Sequence, residues 1–129
     1  MKNINLKKEI TGTVSDAIER VTKALQAEGF GILTRIDLHT KIKEKLGKEM
    51  PQTIILGACN PSLAYEAYRS NSDVTSLLPC NAVVREVESN RISVELAKPS
   101  ALMEILGDAK LVALAKDADL ILQKALDRV

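Results

Sequence analysis

Aromatic side chains are almost missing from this chain: Phe30, Tyr65 and Tyr68 are all that 129 residues contain, with no tryptophan. Recognition of bases or sugars by stacking on rings is therefore excluded. Charge bias is missing as well. Lys and Arg number 18 and Asp and Glu 17, a formal net charge of +1. A partner held by phosphate neutralisation demands a basic excess, so no nucleic-acid partner is expected. A single histidine, His39, excludes His-rich metal cages and most Ser-His-Asp arrangements. Two cysteines, Cys59 and Cys80, are too few for a disulfide framework. No apolar run approaches the ~20 residues of a membrane span. The start, Met1 to Lys8, has lysines with no apolar stretch behind them, so neither a secretory signal nor a membrane partner is expected. The expected compartment is cytoplasmic, with both thiols reduced. Glycine-rich phosphate loops, H-E-x-x-H, G-x-S-x-G and C-x-x-C are all absent.

What is present is an ordinary globular composition, 46% apolar and 27% charged, which excludes disorder. The length fits one domain, residues 1–129, with a core over 3–97 and a C-terminal helical segment over 99–128. Such a chain buries roughly two thirds of its unfolded surface and needs no metal or disulfide to fold.

Ile4 and Leu6 alternate with polar residues, which predicts a short strand. Thr13 caps a helix over about 14–28, whose stripe is Val14, Ile18, Val21 and Leu25, and Gly29 ends it. A strand over 30–36 leads to a short helix, Leu38 to Leu46, closed by Gly47. Thr53 to Leu56 is apolar without alternation, the pattern of an inner strand covered on both faces. Asn60-Pro61 is a helix cap followed by proline at the first helical position, and the helix runs to about Ser70. Residues 71–79 read as a loop. Strands follow over 81–88 and 91–96, joined at Ser89-Asn90 without the usual glycine. In the last strand Ile92, Val94 and Leu96 share one face, and Arg91, Ser93 and Glu95 the other. Gly107-Asp108 divides the tail into two helices. The longer one carries Leu111, Leu114, Ala118, Ile121, Leu122 and Ala125 on its inner face, a stripe that serves either the core or a subunit interface. The order is β-α-β-α-β-α-β-β-α-α, an α+β two-layer sandwich.

The chemically pointed feature is a near-duplication. Leu56-Gly57-Ala58-Cys59-Asn60-Pro61 is echoed by Leu77-Leu78-Pro79-Cys80-Asn81. Each cysteine precedes an asparagine at a strand boundary. Cys59 lies just before a helix N-terminus, where unpaired N–H groups and the helix dipole favour an anion. Gly57 allows another backbone to approach closely. The two thiols share one edge only if their strands run antiparallel. Three readings stand: inert buried thiols, a shared ligand, thiol or metal site, and a disulfide.

Other candidates have plain explanations. Asn60 reads first as a helix cap, whereas Asn81 has no such role. His39, among Lys41, Lys43 and Lys45, reads as a solvated residue rather than a ligand or base. The basic segment Arg35 to Lys48 reads as a solvated helix face.

Gly29-Phe30-Gly31, Asp37, Lys43 with Leu46-Gly47, Ile55 to Pro61 with Ala64, and Leu77 to Asn81 with Val83-Val84 together resemble the family called domain of unknown function 302. The resemblance covers about residues 3 to 100. It implies a small α+β fold with a mainly antiparallel five-stranded sheet and helices packed on one face. It also implies a homodimer, with Cys59 and Cys80 toward one edge. It implies no established activity. The glycine-free Ser89-Asn90 turn and the long helical tail depart from the family pattern.

The biochemical function is thus unknown, and three classes compete. The first is a ligand- or soft-metal-binding module whose site is Cys59, Asn60, Cys80, Asn81 and Gly57. Cys59 and Cys80 would hold Cu(I), or Zn²⁺ with two further ligands. The second is a thiol enzyme or redox protein with Cys59 as nucleophile, His39 as the one available base and Cys80 as the one resolving thiol. The third is a structural homo-oligomeric domain with inert cysteines. The first is preferred, because paired Cys-Asn motifs at strand edges are hard to explain by packing alone.

Overall fold

The computed structural model describes residues 3–129. Met1 and Lys2, part of the stretch read above as lacking a signal, lie outside the described residues. Five strands form one sheet: β1 (Asn5–Thr11), β2 (Gly31–Asp37), β3 (Thr53–Cys59), β4 (Cys80–Glu88) and β5 (Arg91–Ala97). Their order is β1-β5-β4-β3-β2, and every neighbouring pair is antiparallel. β2 to β5 is a meander, each strand beside the next. β1 joins at the far edge, so helix α1 (Val14–Ala27) carries the chain from one edge of the sheet to the other.

Local chemistry sets the element ends. Thr13 caps α1 by accepting from the Asp16 N–H. Gly47 ends α2 (Leu38–Leu46) in a left-handed conformation, φ +66°. The Ser89-Asn90 turn manages without glycine because Asn90 takes the positive φ, +64°, and asparagine tolerates that region best after glycine. Asp108 caps the long helix α5 (Ala109–Arg128) with two backbone N–H bonds.

α1 and α5 pack on one face of the sheet. Val21, Leu25, Ile92, Val94, Val84 and Leu122 are essentially inaccessible there. Each large side chain so buried stabilises the fold by roughly 1.5–3 kcal/mol. α1 buries Ala17 and Ala24 where Ile18 was expected, and Ile18 is only half-buried. α5 buries Leu111, Ala115, Ala118, Leu122, Ala125 and Leu126, so its stripe belongs to the chain's own core. Lys8 ties the helix end to β1, its Nζ donating to the carbonyls of Leu126 and Val129 at 3.3 and 2.8 Å.

The opposite face of the sheet is polar yet covered at β5. Ser93 and Glu95 point away from the helices, as the alternation predicts, but both are buried. Lys7 and Arg85 lie over Glu95 from the strands on either side and pair with its carboxylate. Long basic side chains bury their stems while keeping the charge wet, which explains the low exposure without a covering helix.

A second, smaller core lies beyond the strand ends. It holds Ala67 of α3 (Pro61–Ser70), Met103 of α4 (Pro99–Met103), Leu111 and Ala115 of α5, and Val74. Val74 belongs to a 3-10 turn, Ser72–Leu77, inside the segment expected to be loop. Among the described residues no helix is long and apolar enough to cross a membrane.

Candidate functional site

A cavity opens at the seam between the two cores. Its walls come from the end of β3, the start of β4 and helices α3, α4 and α5. Both cysteines line it, together with Phe30, Met103, Leu111 and Leu114. Among the described residues no charged side chain lines it, and its polar lining residues are Cys59, Asn60 and Cys80. It is partly open to solvent, and its volume is about 50 Å³. That is a third of the ~150 Å³ in which an apolar cavity holds benzene. The space suits a single ion or a group of a few atoms.

The convergence of the thiols follows from the register. β3 and β4 are antiparallel, with Ala58 opposite Cys80, so the register brings the end of one strand, at Cys59, and the start of the other, at Cys80, to the same end of the sheet, one residue out of step. Both thiols are free. Burial pushes the Cys80 thiol up to about 11, and nearby Cys59 and then Asp119 add to the effect. At neutral pH only about one Cys80 in 10⁴ is ionised, so its thiol is a poor nucleophile there.

Asn60 does what the helix cap requires. Its side-chain oxygen accepts from the Leu63 N–H at 3.2 Å, so this first-turn donor is already satisfied. Its amide also closes against the α1–β2 turn, with Nδ2 3.1 Å from where a Cβ on Gly29 would sit. Asn60→Ala is therefore expected to lower the unfolding free energy by about 1 kcal/mol, while Asn60→Asp keeps most of it. Urea unfolding of the three proteins checks this, and equal midpoints for wild type and the alanine variant would remove the cap from the account.

The other expected site residues lie apart. Asn81 pairs with Gly57 across the ladder, is exposed, and does not line the cavity. Strand alternation places it on the sheet face opposite Cys80. Gly57 does not line the cavity either. What approaches it is not backbone, as expected, but the Thr34 hydroxyl and the Pro79 ring. His39 is half-buried rather than solvated: its Nδ1 accepts from the Thr53 N–H at 3.0 Å, which satisfies the first donor of β3. Cys59 is six residues further along that strand, ~20 Å at the usual rise. His39 therefore cannot act as base for Cys59. The basic segment is exposed and pairs internally, Arg35 with Asp37 at 2.8 Å and Lys41 with Glu44 at 3.7 Å.

Among the described residues, no three of His, Cys, Asp and Glu gather closely enough to hold a metal ion. A four-coordinate Zn²⁺ site built from such residues is thus not supplied. The residue that sequence reasoning missed is Met103, which is 4% exposed and lines the cavity beside both cysteines. A lone methionine in a tail helix carries no local signal, and only packing brings it to the thiols.

Among curated proteins, none matches this chain. A crystal structure of an uncharacterized conserved DUF302 protein from Bacillus stearothermophilus is similar, with a TM-score of 0.91 and 30% identity over 98% of each chain. The family model for domain of unknown function DUF302 matches residues 6–129, which span all five strands but the first residue of β1 and all five helices. This chain belongs to the DUF302 family.

Proposed function

We propose that this chain is a small binding module that captures a soft monovalent metal ion, of the Cu(I) class, between Cys59 and Cys80. The observation that carries the reading is that Cys59 and Cys80, 21 positions apart in sequence, line one cavity with no charged lining residue among the described residues. Soft sulfur donors select Cu(I), and two of them suffice for it. Binding releases thiol protons to solvent, as for any thiolate ligand.

Anaerobic titration with Cu(I) against a competing chelator tests this. The wild-type chain is expected to take up one equivalent. The double variant Cys59→Ser, Cys80→Ser is expected to retain none above background. Equal uptake by the double variant defeats the metal reading and leaves inert buried cysteines in its place.

A second copy of the chain is the partner that fits the same reading. β2 is an unpaired edge strand, and it exposes Leu33 and Ile36 at 66% and 46%. An edge strand with exposed apolar residues is a template for pairing. Light scattering at micromolar concentration is expected to give twice 14.1 kDa, falling to that mass in Leu33→Asp. A monomeric wild type removes the partner from the account.

A further inference from the structure

We propose that Met103 is the third donor of this site, its thioether completing a three-sulfur set with Cys59 and Cys80 around a soft monovalent ion. The inference rests on the metal reading above and goes beyond it by naming the ligand that selects the ion.

Met103 is the last residue of α4, a helix of five residues fixed in place from its other end. The Asp119 carboxylate on α5 accepts from the Ser100 N–H at 3.1 Å and from the Ser100 hydroxyl. Pro99 and Ser100 are both buried. This anchoring holds α4 against α5, and Met103 at its end lines the cavity. The three sulfur residues therefore come from three separately anchored segments, at Cys59, Cys80 and Met103, that share one lining.

Charge decides in favour of a thioether as the third ligand. Two thiolates and one Cu(I) leave a net charge of −1 in an apolar cavity. A third thiolate or a carboxylate would make it −2, and burying uncompensated charge is costly. A neutral sulfur adds a donor and no charge. A divalent ion would be neutralised by the two thiolates, but it takes a fourth ligand, and the one side-chain oxygen in the lining, that of Asn60, already accepts from the Leu63 N–H. No electron is transferred: the ion enters and leaves as Cu(I), and the thiol protons go to solvent.

The alternative is that Met103 only fills a gap in the small core, as methionine often does. Met103→Leu separates the two, because leucine conserves volume and apolarity while removing the sulfur. Expected results are a loss of Cu(I) affinity of at least tenfold against the competing chelator and a fall from three sulfur neighbours to two in X-ray absorption. A selenomethionine-labelled wild-type chain gives a readout that leaves packing unchanged. Selenium absorption is expected to show copper at bonding distance for one selenium, and the signal should vanish in labelled Met103→Leu. Unchanged affinity with no selenium–copper neighbour overturns the role of Met103 while leaving the cysteine pair intact. Failure of the wild-type chain to bind Cu(I) at all overturns the metal reading itself.

Discussion

Gly57→Ala is expected to destabilise the chain by about 2–3 kcal/mol, although alanine is small and the backbone there is ordinary strand. A methyl group at Gly57 would collide with the Thr34 hydroxyl and would lie 2.7 Å from Cγ of Pro79. The two neighbours respond differently. Thr34 is exposed and can turn its hydroxyl away. The proline ring cannot turn, so it must move, and Leu78 and Cys80 are bonded to its two sides. Both line the cavity. The substitution therefore shifts a wall of the site without touching its lining. A double-mutant cycle separates this from a general intolerance of the strand. In a Pro79→Ala background, Gly57→Ala should cost at most half as much. Equal costs in both backgrounds, or a Gly57→Ala chain as stable as wild type, would sink the steric account.

The second large effect is a fall in stability in the alkaline range. Cys80 titrates at about 11 in the fold, against an ordinary 9.0, because burial disfavours its thiolate. Below pH 9 the thiol is protonated in both folded and unfolded chains, and its contribution is fully present. Between pH 9 and 11 the unfolded chain loses this proton first, so the contribution fades as the pH rises. A hundredfold difference in proton affinity corresponds to roughly 2.7 kcal/mol. Urea unfolding of the reduced protein at pH 8 and at pH 10.5 reads the loss. The comparison is with Cys80→Ala, which differs from the wild type in this side chain alone. The variant's stability should fall less over this interval, by about 2 kcal/mol. Parallel falls in the two proteins would show that the folded thiol ionises as readily as the unfolded one.

Much of the fold was legible because the signals are local. Thr13, Asn60-Pro61, Gly47 and Gly107-Asp108 mark helix ends through chemistry confined to a turn of chain. Ile92, Val94 and Leu96 alternate cleanly, so the inner face of β5 was legible too. Long-range features were not. Nothing near Asn5–Thr11 says that this strand pairs with β5 rather than β2, since that depends on where α1 ends its crossing. Ser93 and Glu95 alternate as exposed residues should, yet both are buried because Lys7 and Arg85 come from neighbouring strands. The site divides along the same line. Cys59 and Cys80 stood out by their repeated context, and antiparallel pairing was the condition for their meeting. Asn81 carried the same local context but takes the opposite sheet face, a matter of one-residue parity. Val74 and Met103 gave no local sign, because their burial is made by α3, α4 and α5 together.

The seam between the two cores has a bearing on how anything enters. The large core is tied through four antiparallel ladders, the length of α1 and the C-terminal half of α5. The small one has five buried residues, Ala67, Val74, Met103, Leu111 and Ala115, with half-buried leucines and Val112 around them, and it closes one side of the cavity. Cooperative units with fewer buried apolar groups open more often, and they open without melting the rest. α3 and the turn after it are thus the part of the cavity wall held by the fewest buried side chains, and Cys59 and Cys80 flank that segment on the strands.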